Sequence, residues 1–165
     1  MELETAKQIA DEIINLIGEY CLRIEVAGST RRGKNSVHDL ELVAIPKNLN
    51  VLKNKLGFHL LKTQPANTKN PFMKSGQRYI QFKYNSQQVD LFLANEDNWG
   101  LIYLMRTGSA EFSAAMLAKW KKVTAGGYSE NGYLHTADGK KVITREEKDF
   151  FRLCKMDFVA PEFRS

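Results

Sequence analysis

Two carboxylates, Asp39 and Glu41, stand one residue apart at the start of the apolar segment 40–45. Side chains of a strand alternate between its two faces, so both acids project from the same face. Two like charges side by side repel each other unless a cation lies between them. Magnesium is a hard cation that binds carboxylates together with water and phosphate oxygens. The pair therefore predicts a magnesium site.

A third acid, Asp90, alternates with the apolar residues Val89 and Leu91 in another segment typical of a strand. Three carboxylates can hold two metal ions about 3.5–4 Å apart, the separation used for in-line phosphoryl or nucleotidyl displacement. We expect two Mg²⁺ ions, for which Mn²⁺ can substitute. One ion would activate an attacking hydroxyl, and the other would hold a triphosphate and its leaving pyrophosphate.

A Gly28-Ser29 turn precedes the acids. It offers free backbone N–H groups and a hydroxyl to phosphate oxygens, and glycine has no Cβ to block their close approach. The neighbouring Arg31 and Arg32 can add a charge-assisted contact, and we expect only one of them to face the phosphates. The turn, the arginine pair and the acids together indicate transfer of a nucleotidyl or phosphoryl group.

Hydrophobic periodicity predicts the elements that must position these residues. In the first half we predict a helix over 4–20 behind a capping box at 5–8, strands over 22–27 and 40–45, a short helix within 47–61, a polar loop over 62–76, and a hairpin of strands 78–84 and 87–94. In the second half we predict helices over 99–106 and after Ser109, a hairpin turning at 138–139, and a helix opened by a capping box at 144–147. We therefore expect an α+β protein, with a mixed sheet and helices in residues 1–97 and a mostly helical lobe with a β-hairpin in residues 98–165.

The chain carries a formal net charge of +5, and its basic residues are unevenly distributed. No Asp or Glu occurs between Glu41 and Asp90. That acid-free interval contains Lys47, Lys53, Lys55, Lys62, Lys69, Lys74, Arg78 and Lys83. Such a run is commonly a solvated face. Because acids of the metal-binding type flank it, we favour a surface for a polyanion.

Other features exclude several classes of protein. Cys21 and Cys154 are the only cysteines, and their spacing does not match a zinc site. No apolar run approaches the roughly 20 residues of a membrane helix. Residues 1–20 contain acids where a secretory signal would be basic and then apolar. We expect a monomer that does not enter a membrane and works inside the cell, in the cytoplasm or nucleoid.

The stretch from Gly28 to Glu41, Gly-Ser-Thr-Arg-Arg-Gly and then Asp-Leu-Glu, resembles the signature of DNA polymerase beta and its relatives, the family X DNA polymerases. The segment TGSAEFSAAM at 107–116 and the ending at Pro161 and Arg164 are similar to the second lobe of that family. The resemblance covers nearly the whole chain. It implies a nucleotidyltransferase palm over 1–97 and a thumb and fingers lobe over 98–165, in a reduced core similar to the smallest viral members.

The resemblance also implies roles for individual residues. Asp39 and Glu41 would bridge the two metals, and Asp90 would bind the catalytic metal and orient the primer 3′-hydroxyl. Nucleotide contacts would come from Gly28, Ser29 and Arg32 at the triphosphate and from Gly108 and Ser109, whose peptide bond is often cis in the family, at the sugar and base. His38 either adds a phosphate contact or is an exposed linker residue. DNA contacts would come from Lys74, Arg78, Lys83, Lys119, Lys121 and Lys122.

We therefore expect a magnesium-dependent DNA polymerase that adds dNMP from a dNTP to a DNA 3′-end, with release of pyrophosphate. Its DNA would be gapped, nicked or primer–template duplex during repair. One alternative is a transferase that acts on RNA ends or a small acceptor. Another is a non-catalytic protein that binds DNA ends and has lost turnover, because Glu41 stands where the family usually has aspartate.

Overall fold

The computed structural model describes residues 1–165, which form an α+β protein with a mixed sheet, as the sequence predicts. The α-helices are α1 (Leu3–Ile17), α2 (Gly28–Arg31), α3 (Leu49–Thr63), α4 (Trp99–Thr107), α5 (Ala110–Val123) and α6 (Glu147–Leu153). The strands are β1 (Cys21–Val26), β2 (Leu40–Pro46), β3 (Phe72–Ser75), β4 (Tyr79–Tyr84), β5 (Gln87–Leu93), β6 (Tyr128–Glu130), β7 (Tyr133–His135) and β8 (Lys141–Val142). Short 3₁₀ turns cover Gly18–Tyr20 and Pro161–Phe163.

The larger sheet has five strands in the order β1-β2-β5-β4-β3. Its central pair, β2 and β5, is parallel, and the other neighbours are antiparallel. The predicted hairpin of β4 and β5 is confirmed, and its turn residues Asn85 and Ser86 both have positive φ. In the parallel pair Glu41 lies opposite Asp90. The predicted acids are therefore neighbours across two adjacent strands.

One face of this sheet is covered by α1 and α3 and forms the main hydrophobic core. The residues that recur on each strand at every second position point into this core, and Leu40, Leu42 and Leu91 are fully buried there. Each buried leucine contributes about 2 kcal/mol of hydrophobic stabilisation. Because strand side chains alternate, Glu41 and Asp90 project from the opposite face.

That opposite face is covered in part by α4. Trp99 and Tyr103 of this helix pack against Val43 and Ile45 of β2. Another side of α4 contributes to a second core with α5 and α6, which includes Leu104. The helix therefore connects the sheet to the second half of the chain and brings its own C-terminal end to the acids. The division into domains at residue 97 stays a prediction.

Two predictions for the first half of the chain are wrong. The segment 62–76 is not only a loop, because it contains β3, and Phe72 packs against the main core. The capping box at 5–8 does not open α1, which begins at Leu3 after Glu2. Glu2 forms an isolated bridge with Ser36, and the helix begins one residue before its predicted start, directly after this contact.

The capping box of α6 also differs from the prediction. Glu146 and Asp149 form it, and the backbone N–H of Glu146 donates to the Asp149 carboxylate. Thr144 accepts a hydrogen bond from the backbone N–H of Leu101. The predicted hairpin of the second half is part of a three-stranded sheet, β6-β7-β8.

The cysteines are both buried and free, and burial raises the pKa of each thiol to about 11. None of the helices combines the length and the apolar character that a membrane crossing requires.

Candidate active site

The three acids meet on the face of the sheet that α1 and α3 leave uncovered. Glu41 is the second residue of β2, and Asp39 directly precedes that strand, which begins at Leu40 as predicted. Asp90 lies in the middle of β5 and is only 6% exposed. Asp39 and Glu41 are half-buried. Like charges on one face of a sheet disfavour ionisation, and Glu41 is the acid whose pKa responds.

Glu41 is the acid most affected by this crowding. Burial, the charge of Asp39 and the charge of Asp90 raise its pKa, the guanidinium groups of Arg106 and Arg32 lower it, and the net result is about 7. Its carboxylate forms no salt bridge within 4.0 Å. Glu41 therefore binds and releases a proton near neutral pH, or is charged when a cation joins the cluster.

The Gly28 turn is in direct contact with this acid. Gly28 opens α2 with φ +60°, a conformation that favours glycine. A Cβ built on Gly28 would lie 1.9 Å from Oε2 of Glu41, so no other residue fits without moving that carboxylate. The predicted phosphate turn and the predicted metal ligand are thus in direct contact.

We expect Gly28→Ala to push the Glu41 carboxylate out of its half-buried place and to return its pKa toward the ordinary value. A carboxyl-carbon NMR titration would measure that pKa. Gly33→Ala is the matched control, since Gly33 has φ +71° but no atom within 4 Å of a built Cβ. Both variants carry the same backbone strain of about 1–2 kcal/mol. An unchanged Glu41 pKa in Gly28→Ala would contradict the contact.

Asp90 is held by three neutral donors. The Tyr79 hydroxyl donates to Oδ1 at 2.6 Å, Gln81 Nε2 donates to Oδ1 at 2.9 Å, and Gln88 Nε2 donates to Oδ2 at 3.1 Å. Burial and the hydrogen bond to Asp90 raise the pKa of Tyr79. A carboxylate has about four acceptor sites, so one site on Oδ2 stays open to a further ligand.

The two neighbouring arginines have different surroundings. Arg31 donates to both carboxylate oxygens of Glu147 at 2.7 and 2.8 Å, and its guanidinium lies 3.7 Å from the centre of the Tyr103 ring. Arg32 donates from Nη1 to the Thr107 carbonyl oxygen, while its buried Nε has no partner. Arg32 is therefore the arginine with hydrogen-bonding capacity left for a ligand.

Glu147 is the centre of a buried ion cluster. Besides Arg31 it pairs with Arg164, which is 0% exposed and donates from Nη1 at 2.6 Å. Burial alone would raise the pKa of Glu147, but the hydrogen bonds and charges of the two arginines bring it below its ordinary value. The cluster joins α2, α6 and the end of the chain. Arg31 also donates to the Thr107 hydroxyl, so the cluster reaches the C-terminal end of α4.

Two cavities meet at Glu41, and Asp90 lines neither of them. The smaller one, about 500 Å³, has no hydrophobic lining and is formed by Ser29, Arg32, Lys34, Asn35, Ser36, His38, Asp39 and Glu41. The larger one, which we call the groove, measures about 1280 Å³ and runs between the sheet, α4, α5 and the β6–β7 turn. Arg32 and Glu41 line both. A ligand with a highly polar end and a larger remainder would fit across this junction.

No family model and no curated protein matches this chain.

The predicted nucleotide residues divide between these two spaces. Ser29 and the exposed His38 line the smaller cavity, and Gly108 and Ser109 line the groove. The chain has no cis peptide bond, so the bond between Gly108 and Ser109 is trans. Ser109 caps α5 by accepting from the backbone N–H of Phe112, and its own N–H donates to the Arg164 carbonyl oxygen.

The predicted DNA contacts do not form one surface. Lys74 is in β3, Arg78 directly precedes β4, and Lys83 is in β4. These three residues lie at the open side of the sheet, which α1 and α3 do not cover, and Arg78 lines the groove. The remaining three, Lys119, Lys121 and Lys122, lie on α5, and none of them lines the groove. The acid-free interval is also divided, because its lysines at 53, 55 and 62 belong to α3, behind the sheet.

Sequence reasoning missed a ladder of aromatic and basic side chains beside Asp90. The Arg106 guanidinium lies 4.0 Å from the centre of the Phe92 ring, Phe92 stacks on Tyr79 at 5.1 Å, and the Lys74 ammonium is 5.7 Å from the Tyr79 ring. Arg106, Phe92 and Tyr79 all line the groove. The alternation of β4 and β5 places Tyr79 and Phe92 on the face of Asp90, but their pairing depends on strand register, and Arg106 reaches them from α4.

The chemistry of the three carboxylates, Asp39, Glu41 and Asp90, decides whether they suit a metal ion. No group of three or more His, Cys, Asp or Glu side chains is arranged to hold a metal ion. The acids nevertheless offer only oxygen donors, burial and the charges of Asp39 and Asp90 raise the pKa of Glu41, and one acceptor site of Asp90 has no donor. Hard divalent cations such as Mg²⁺ prefer these donors, so the residues fit such an ion.

Proposed function

We propose that this protein is a magnesium-dependent nucleotidyltransferase of the polymerase beta type. It adds dNMP from a dNTP to the 3′-end of gapped, nicked or primer–template DNA. The observation that carries the proposal is the contact between Gly28 and Glu41 at the junction of the two cavities. This contact supports the proposal because nucleotidyl transfer requires a phosphate-binding turn next to metal-binding carboxylates.

Each cavity suits one part of a nucleotide. The smaller cavity is lined only by polar residues, and Ser29, Arg32 and Lys34 supply donors for a triphosphate. The unpartnered Nε of Arg32 gains an acceptor when a phosphate oxygen binds. The groove has apolar and polar walls and receives the sugar, the base and the DNA.

Asp39, Glu41 and Asp90 would hold two Mg²⁺ ions, or Mn²⁺ in their place. When bound, the ions would supply Lewis-acid activation of the 3′-hydroxyl and charge neutralisation at the triphosphate. Tyr79, Gln81 and Gln88 fix the orientation of the Asp90 carboxylate, which would face the 3′-hydroxyl. Arg32 holds the triphosphate in line, and α4 excludes water from part of the sheet face that carries the acids. Orientation of this kind supplies much of the rate enhancement in two-substrate reactions.

A primer-extension assay tests the proposal. With a 5′-labelled primer on a gapped template, dNTPs and Mg²⁺, we expect one-nucleotide extension by the native protein. Asp90→Ala should lose about a hundredfold to a thousandfold in rate, as expected when an electrostatic contact to the reacting group is removed. Lack of extension by the native protein, or equal extension by Asp90→Ala, would refute it. Extension of RNA primers alone, or DNA binding without any product, would instead select one of the two alternatives.

We expect Tyr79→Phe to lower kcat about tenfold, with little change in the KM for dNTP, because the variant loses the shortest hydrogen bond to Asp90 and keeps the ring. One lost hydrogen bond to a charged group costs about 1.5–3 kcal/mol. Single-turnover extension measures kcat, and Tyr84→Phe on the same strand is the control. A fall in kcat that is equal in both variants would show that the Tyr79 hydroxyl has no special role.

A further inference from the structure

The outer face of α3 carries a row of exposed side chains. Val51 is 42% exposed, Phe58 is 65% exposed and Leu61 is 41% exposed. Lys55 and Lys62 are exposed as well. Residues spaced three and four apart lie on the same side of a helix, so these five residues form one continuous surface. We call it the α3 stripe.

The α3 stripe lies on the opposite side of the sheet from the acids. The inner face of α3 packs into the main core through Leu52, Leu56 and Leu60. Glu41 and Asp90 project from the other face of that sheet. A substrate in the groove therefore does not reach the α3 stripe, and the proposed function leaves these residues without a role.

The chemistry of the α3 stripe is both apolar and cationic. Neither of its lysines forms a salt bridge. The Lys62 ammonium lies 4.3 Å from the centre of the Phe58 ring, and the Lys55 ammonium lies 6.0 Å from the Tyr20 ring. Because residues 42–89 contain no acid, nothing on α3 neutralises these charges. Protein interfaces typically combine an apolar centre, often aromatic, with a polar rim.

We propose that the α3 stripe docks an acidic segment of a partner protein. Apolar side chains of that segment would cover Phe58 and Leu61, and its carboxylates would pair with Lys55 and Lys62. Charge complementarity favours this occupant. A second copy of the chain would bring lysines against lysines, with no acid on either helix. DNA offers phosphates to the lysines but leaves the exposed Phe58, Leu61 and Val51 without apolar contacts.

Peptide phage display provides an unbiased test. A random peptide library would be selected on the native protein and counter-selected on the double variant Phe58→Ser/Leu61→Ser. We expect the enriched peptides to be rich in Asp and Glu and to carry two apolar residues three or four positions apart. Fluorescence anisotropy with the synthetic enriched peptides would then give dissociation constants.

Two further double variants separate the contributions. Lys55→Glu/Lys62→Glu keeps the apolar residues and should weaken binding of the enriched peptides about tenfold or more, as does the loss of an interface hot spot. Lys74→Glu/Lys83→Glu makes the same charge change at the open side of the sheet and should leave binding unchanged. Both exchanges are at exposed positions, and circular dichroism would verify that the fold is retained.

Several outcomes would overturn the proposal. These are the absence of enrichment, enriched peptides without excess acid, and equal weakening by the two lysine-to-glutamate variants. A native dimer in sedimentation that Phe58→Ser/Leu61→Ser dissociates would assign the α3 stripe to self-association. A duplex oligonucleotide that binds the native protein but not Lys55→Glu/Lys62→Glu would assign it to DNA. The peptide measurements do not depend on polymerase activity.

Discussion

Glu41→Gln is expected to make the metal-free protein harder to unfold at pH 8 and, at the same time, to abolish nucleotidyl transfer. The folded-state pKa of Glu41 is about 7, against an ordinary value of 4.5. One pKa unit corresponds to about 1.4 kcal/mol, so ionised Glu41 destabilises the folded state by up to about 3 kcal/mol. Glutamine has nearly the same shape and cannot ionise. Urea unfolding in EDTA buffer would measure the gain.

The sign of this effect fixes its pH dependence. Below pH 4.5 the carboxyl group is protonated in both states, so Glu41→Gln should leave the free energy of unfolding nearly unchanged. Between pH 4.5 and 7 the unfolded chain loses the proton first, and the folded native protein becomes progressively less stable than the variant. Above pH 7 the difference stays constant. Mg²⁺ should stabilise the native protein but not the variant, and so reduce the difference in their free energies of unfolding.

Glu111→Gln is the matched control, since Glu111 is exposed and lines the same groove. It should change neither stability nor primer extension appreciably. A stability difference for Glu41→Gln that is the same at pH 4 and pH 8 would contradict the raised pKa. Full extension activity in Glu41→Gln would contradict the proposed role in metal binding. The two readouts are therefore independent.

Glu147→Gln should be the most destabilising single exchange of a polar residue in the protein. It leaves the charges of Arg31 and the fully buried Arg164 without their counter-ion. Breaking a buried ion pair from one side costs about 3–5 kcal/mol. Because the pKa of Glu147 is lowered, its stabilisation is present above pH 4.5 and is lost as the pH falls through the folded-state pKa. Urea unfolding at pH 7 would measure the loss of stability in the variant, and urea unfolding at acid pH would show whether the native protein loses the same stabilisation.

Glu4→Gln serves as the control for this exchange. Glu4 pairs with Lys7 on the surface of α1, where the two side chains are 83% and 51% exposed. Exposed pairs of this kind contribute at most about 1 kcal/mol. Equal losses in the two variants would mean that the buried cluster is no stronger than a surface pair.

The Glu147 variant should also raise the KM for dNTP, because Arg31 positions Thr107 beside Arg32.

The sequence allowed prediction of the strands and of the face that carries the acids. Alternation around Glu41 and Asp90 is local and decides which face carries the acids, while Val43 and Ile45 on that same face are buried by α4. β3 was missed because it is a short edge strand with mostly exposed residues, after a proline and with no alternation to detect. The start of α1 was missed because a distant bridge from Glu2 to Ser36 determines it.

The details of the candidate site depend on contacts between distant segments. The donors to Asp90 come from β4 and β5 in a register that no local pattern reveals. The choice between Arg31 and Arg32 is decided by Glu147, which is 116 residues further along the chain from Arg31. Proximity of the glycine turn to Glu41, in contrast, could be anticipated from the short segment between them.

The buried position of Arg164 has a consequence for biosynthesis. During translation the acids and the Gly28 turn leave the ribosome early, but Glu147 and Arg164 emerge much later. Until then Arg31 has no anionic partner, and the segment around Ser109 lacks its contact with the Arg164 backbone. Nascent and prematurely terminated chains would therefore carry the acids without an assembled nucleotide pocket. The contacts of Arg164 therefore form only after the polypeptide has been made as far as that residue.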